Sequence, residues 1–192
     1  MKSAQIEKLF QSIAPMGEQE INFIRSRFEL VKFVKKDRLL EYQEVAGHFF
    51  FINSGLVRLF GFKEGEEKTL FFFTENMIAG SIESYLQQVP SSYVLEALEP
   101  VEALRISERD LNELLQSSTA MNKVGLILTQ HRLQYLLGFF SSFVLDNPEQ
   151  RYLKFMNNSP DLINRVPQHI VASFLGITPV SLSRIRKRLM RK

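Results

Sequence analysis

Between Val31 and Ile106 the hydrophobic pattern takes on a short-strand rhythm, and no other feature limits the possible folds as much. Phe49 to Ile52 is followed by the turn residues Asn53-Ser54-Gly55, then Leu56 to Phe62, then Lys63-Glu64-Gly65-Glu66, then Lys68 to Phe73. Aromatic and β-branched runs broken this often by turn residues predict antiparallel hairpins in a barrel or a sandwich. The flanking regions follow helical spacing instead. Ser3 to Phe28 reads as helices, with Ile6, Leu9, Phe10 and Ile13 on one stripe and a second candidate from Glu20 to Phe28. Ser107 with Asp110 resembles a capping box that opens a short helix through Leu115. The expected class is α+β, with an N-terminal antiparallel β-roll of jelly-roll type and helices after it.

The longest helical pattern runs from about Thr119 to Val144 and is apolar on two sides. Met121, Val124, Leu128 and Tyr135 form one seam; Leu126, Leu133, Leu136, Phe140 and Phe143 form another. A helix with two apolar seams must bury both, so one is expected to meet its own β domain and the other a second copy of the chain. The dimer contact is assigned to Met121, Val124, Leu128, His131 and Tyr135, in a parallel coiled-coil-like pair. Gly125 and Gly138 weaken this helix locally. Asn147, Pro148 and Gln150 mark a new helix start, which places a boundary near Asp146. The expected division is a β domain over 1–117, a linking and dimerisation helix over 118–145, and a terminal helical domain over 146–192.

That terminal segment is strongly basic. Its last fifteen residues, TPVSLSRIRKRLMRK, hold six cations and no carboxylate, whereas the whole chain is only +3. The rest of the molecule is therefore net acidic, an asymmetry that points to nucleic acid or an anionic surface. Thr178 and Pro179 are a cap and a first helical residue. Leu182, Ile185 and Leu189 then share one face, while Val180, Ser181, Arg184, Lys187, Arg188 and Arg191 lie opposite or beside it. The apolar face is too narrow for a membrane-surface helix. Upstream, Gln168 to Leu175 forms a short helix with Ile170, Val171, Phe174 and Leu175 as packing positions, Ala172 for a close crossing and Gly176 for the turn. Two helices joined this way, with the second one basic outside, read as a helix-turn-helix that enters the major groove of duplex DNA.

Composition removes several other classes. No cysteine is present, so disulfides, thiolate metal sites and cysteine-ligated iron–sulfur clusters are excluded. The three histidines, His48, His131 and His169, have no metal-site spacing, and no haem ligand is evident; neither a cofactor nor a metal is expected, and the chain is not read as an enzyme. The start, MKSAQIEKLFQSIAP, lacks a signal-peptide core, and no run approaches membrane-spanning length, so a cytoplasmic protein is expected. Seventeen phenylalanines and no tryptophan predict a phenylalanine-rich core.

The order of these parts resembles the Crp/Fnr-type bacterial transcription regulators. The resemblance rests on FFFINSGLVRLF, on GSIESYLQQVPSSYVLEALEP where that family places its ligand cassette, and on ASFLGITPVSLSRIRK as the recognition unit. It implies a cyclic-nucleotide-binding-like sensor roll over 1–117, a homodimer bound to a palindromic operator, and RNA polymerase as a further partner. It also implies that Arg184 reads a base edge, commonly guanine, that Lys187, Arg188 and Arg191 meet phosphates, and that Gln168, His169, Thr178, Val180, Ser181 and Ser183 complete the contact surface. Relatives often carry an acidic residue where Val180 stands, which predicts a different binding site here. The chain stops at Lys192, so the contacts of the family's β-hairpin wing are not carried over. In the cassette the family has Gly-Glu and, later, an Arg followed by Ser or Thr. This chain has Gly80-Ser81 and Ser91-Ser92, lacking both the ribose-binding carboxylate and the phosphate-binding guanidinium. Cyclic AMP is therefore not expected to bind. A different, unidentified small effector remains an alternative, with Arg58 on a neighbouring strand as a possible anion ligand beside the cassette residues. A third alternative is a protein-interaction module with a basic docking helix, separated from the first two by the salt and sequence dependence of duplex binding.

Overall fold

The computed structural model describes residues 3–190, so Arg191 and Lys192 of the basic end lie outside the described residues. Two helices, α1 (Ala4–Ile13) and α2 (Glu18–Arg27), come first. The strands β1 (Glu29–Phe33), β2 (Arg38–Leu40), β3 (His48–Ser54), β4 (Val57–Lys63), β5 (Glu66–Phe73) and β6 (Ile78–Ala79) follow. Helix α3 (Ile82–Gln87) precedes β7 (Val94–Ala97) and β8 (Val101–Ser107). The remainder is helical: α4 (Glu108–Ser117), α5 (Thr119–Leu145), α6 (Pro148–Asn158), α7 (Leu162–Arg165), α8 (Gln168–Phe174) and α9 (Pro179–Leu189). The strands form two four-stranded sheets, ordered β1-β8-β3-β6 and β2-β7-β4-β5, and not one closed barrel. The α+β class with a β-roll, a long helix and a helical C-terminal region is thus the observed one.

By internal contacts the chain separates into two units. The first takes in the chain up to Leu59 with Phe72–Arg132; the second takes in Phe60–Phe71 and the chain from Leu133 onward.

In the first unit the run Phe49-Phe50-Phe51-Ile52 decides the layering. All four residues are buried, so both faces of β3 are covered, as a continuous apolar run requires. On one face Phe49 and Phe51 join Leu104 and Ile106 of the antiparallel β8, which pairs Phe49 with Ile106 and Phe51 with Leu104. Ile6 and Phe10 of α1, Ile21 and Ile24 of α2, Leu114 of α4, and Met121 and Val124 of α5 close over that face. Ion pairs bind the covering helices at the rim, Arg25 to Glu7 at 2.9 Å and Arg27 to Asp110 at 2.6 Å. The Asp110 carboxyl is held below the usual range by Ser107 and then by Arg27. The Ser107 cap forms as its sequence implied, accepting the Asp110 amide at 3.1 Å.

One turn in this unit requires glycine. Gly55, between β3 and β4, has φ +99°, and a Cβ there would lie 2.4 Å from the Pro100 carbonyl oxygen and 2.8 Å from Val101 Cα. Its amide also donates to Glu75 Oε1 at 3.0 Å. Gly55→Ala is expected to cost about 2–4 kcal/mol, from left-handed strain plus a clash with backbone that cannot yield. Urea unfolding of the variant against the parent chain measures this.

Candidate nucleic-acid interface

The second unit contains the helix-turn-helix. Thr178 Oγ1 accepts the Ser181 amide at 3.1 Å and Pro179 fills the first helical position, so α9 starts where the cap and proline dictate. Gly176 makes the preceding turn at φ +66°, and Ile170, Val171, Ala172 and Phe174 of α8 are buried along with Leu182 and Ile185 of α9. At about 100° per residue, Val180, Arg184 and Lys187 point away from Leu182 and Ile185. All three are exposed, as are Ser183 and Thr178; Ser181 is half-buried, and Gln168 and His169 are exposed at the start of α8. Among the described residues neither Arg184 nor Lys187 has a carboxylate partner. Arg188, expected to be free for phosphate, is instead held by Glu149 of α6, because it lies on the flank of α9 and not at the centre of its outer face. Arg191 lies outside the described residues.

Three sets of contacts that no local pattern announced hold this pair of helices in place. Ser173 of α8 accepts the Thr69 amide at 2.9 Å and donates to the Glu67 carbonyl at 3.1 Å, which fastens α8 to the tip of the β4–β5 hairpin. Arg151 of α6 donates to the Leu175 carbonyl at 3.0 Å and the Asp146 carbonyl at 2.8 Å, with its guanidinium 5.0 Å over the Phe143 ring. An aromatic row runs from Phe71 to Tyr135 (4.9 Å between centroids), Phe139 (6.4 Å) and Phe174 (4.8 Å). Thr69 and Ser173 are more than a hundred residues apart, so their pairing leaves no signal in a sequence window.

The expected dimer contact requires correction. Met121 and Val124 are fully buried in the chain's own core, and Leu128 packs against the same cluster. Arg132, next along this face, donates to the Ile78 carbonyl at 2.9 Å and sits 4.8 Å over Phe73. Tyr135 lies against Phe71, and His131 is exposed. The assigned seam is largely an intrachain one. Exposed instead are Leu126, Leu133, Leu137, Phe140 and Val144, each more than half accessible. With Gln130 they repeat at alternating intervals of seven-residue heptads, the spacing of a coiled-coil seam. Leu136 is also exposed, whereas Phe143 turns toward Gly176, where an added Cβ would be 2.7 Å from its ring.

The cassette is internally satisfied. Ser81 and Ser91, expected from the sequence to line the cassette, are buried with their hydroxyl oxygens 3.0 Å apart. Ser91 Oγ also accepts the Tyr93 amide at 3.1 Å, and its backbone pairs with Gln43 and Glu44 at 2.9 and 2.8 Å. Ser92 is exposed. Ser84 accepts the Ala46 amide at 2.8 Å and donates to the Val89 carbonyl at 2.6 Å. Gly80 is required by packing, since a Cβ would meet the Phe49 ring at 2.2 Å. Tyr85 of α3, a helix not foreseen within the strand-like stretch, stacks edge-on to Phe49 and donates to Asn112 of α4. Burial, then the Glu108 charge, raises its phenol above the usual range. Arg58 does not offer an open anion site: Nε and Nη2 lie 2.9 and 2.8 Å from Glu96 Oε1, and both side chains are nearly buried. An anionic phosphate here would lose its hydration with no unpaired cation supplied by these residues.

Among the described residues, no cluster of three or more histidines and carboxylates could hold a metal, and no helix is long and apolar enough to cross a membrane.

Residues 30–118 match the family model of the cyclic nucleotide-binding domain. No curated protein matches the chain. Several solved structures do. The c-di-GMP responsive global regulator CLP of Xanthomonas campestris is 16% identical, covering 91% of this chain and 92% of its own, with a TM-score of 0.72. FixK2 of Bradyrhizobium japonicum is 13% identical over 85% of each chain, with a TM-score of 0.75. A candidate transcriptional regulator of the Crp/Fnr family from Eubacterium rectale is 13% identical, covering 91% of this chain and 84% of its own, with a TM-score of 0.71. Residues 30–118 therefore match the cyclic nucleotide-binding domain, and the chain as a whole has the fold of the Crp/Fnr-type regulators.

Proposed function

We propose that this protein is a homodimeric, sequence-specific DNA-binding transcription regulator that reads duplex DNA with α9 and is not controlled by cyclic AMP. The observation that carries the reading is the two-sidedness of α9: Leu182 and Ile185 are buried, while Arg184 and Lys187 are exposed and have no carboxylate partner among the described residues. A guanidinium so placed can make two hydrogen bonds to guanine in the major groove, and an ammonium can neutralise a phosphate. Val180 is apolar and exposed beside Arg184, suited to a thymine methyl and unable to accept a hydrogen bond from cytosine. The second copy docks along the outward seam of α5, from Leu126 through Leu133, Leu137 and Phe140 to Val144. Two recognition helices related by that symmetry fit a palindromic operator.

Operators selected from a random duplex library provide the test. Arg184→Ala should lose about 1–3 kcal/mol on the selected operator and relax preference at one position per half-site. Lys187→Ala should weaken matched and mismatched duplexes alike. Equal loss on every sequence for Arg184→Ala would make it a phosphate clamp and remove the base-reading role.

Dimerisation gives a second expectation. Leu133→Lys puts like charges into the proposed seam without touching the chain's own core, and should yield folded monomer at micromolar concentration in sedimentation. Val124→Lys should instead unfold the first unit, because it buries a charge among Phe49, Phe51 and Leu104. An unchanged dimer in Leu133→Lys would move the interface elsewhere.

The cassette gives a third. Calorimetric titration with cyclic AMP or cyclic GMP should show no micromolar binding, because the paired Ser81 and Ser91 hydroxyls offer no charge to phosphate or ribose. A micromolar isotherm would reopen the roll as a nucleotide sensor.

A further inference from the structure

We propose that Glu149 is an internal competitor for Arg188, a carboxylate that lowers the number of DNA phosphates the recognition helix can engage. The inference rests on the DNA-binding reading above.

Glu149 stands in the first turn of α6, and its helix does not need it as a cap. Asn147 accepts the Gln150 amide at 3.0 Å and Gln150 reaches back to the Asn147 amide at 2.9 Å, so the capping box is complete without it. The other charged groups around this helix have structural duties. Asp146 is held below the usual carboxyl range by Lys154 and Ser142, and Arg151 spans two carbonyl oxygens. Glu149 reaches across to the recognition helix, where its Oε2 meets Arg188 Nη2. Its side chain is 24% exposed and that of Arg188 is 59% exposed, so the carboxylate is seated and the guanidinium is the partner open to solvent. Arg184 and Lys187, on the same helix, have no such partner among the described residues.

The consequence follows from charge. For Arg188 to neutralise a phosphate it must leave Glu149, and the carboxylate is then stranded beside a polyanion. The pair therefore contributes less than one full counterion to release when duplex binds. Because a surface ion pair is weak, a phosphate can still win at low salt; the device grades affinity and does not switch it off.

Binding of a random-sequence duplex by the full chain, followed over a salt series, tests this with E149Q, R188Q and the double variant. E149Q is isosteric and should leave thermal unfolding essentially unchanged. It should raise affinity about two- to five-fold per half-site at fixed moderate salt, and steepen the logarithmic salt slope by about 0.9 per half-site. R188Q should weaken binding, and adding E149Q to it should regain less affinity than E149Q gains in the parent chain, since only simple repulsion of the carboxylate is then relieved. An unchanged slope in E149Q, or an equal gain from E149Q with and without Arg188, would overturn the competition while leaving DNA binding in place. Failure of the parent chain to bind duplex at all would overturn the DNA-binding reading and this inference with it.

Discussion

The packing of Met121 and Val124 against Phe49, Phe51, Leu104 and Ile106 fixes the rotation of the long helix about its own axis. Each of those side chains is at least nine-tenths buried, and burying a large apolar side chain is worth roughly 1.5–3 kcal/mol. Once that face is committed, Leu126 on the opposite side has no intrachain cover. The same helix then carries Leu133, Leu137, Phe140 and Val144 outward at coiled-coil spacing. The exposed apolar seam proposed for a second copy is in this sense a by-product of how the first unit buries its sheet.

The segment from Gly80 to Tyr93 is held together by its own packing and hydrogen bonds. Gly80 remains where Phe49 leaves no room for a Cβ, and α3 remains anchored through Tyr85. The Ser81 and Ser91 hydroxyls satisfy each other and the adjoining backbone. Arg58, which looked available in the sequence, is neutralised by Glu96 across neighbouring strands. A cation in a strand cannot be judged as an anion ligand until its cross-strand neighbour is known. The basic helix α9 follows the same rule. Among the described residues Arg184 and Lys187 have no carboxylate partner, while Arg188 acquires one from another helix.

The sequence by itself determined the features that depend on neighbours a few residues away. The caps Ser107, Asn147 and Thr178, the tight turns at Gly55 and Gly176, the length of α5 and the two faces of α9 all obey local geometry. Helix α3 was less legible, because six residues of helix inside a strand-rich stretch carry too little periodicity to stand out. Only the tertiary structure decided which seam of α5 meets the chain's own sheet, since both repeat every three or four residues and are equally apolar. It also decided that Ser173 fastens to Thr69, that Arg58 belongs to Glu96, and that Glu149 takes Arg188. Each of these pairs joins positions more than thirty residues apart, and the partner of a side chain is set by which surfaces the folded core brings together.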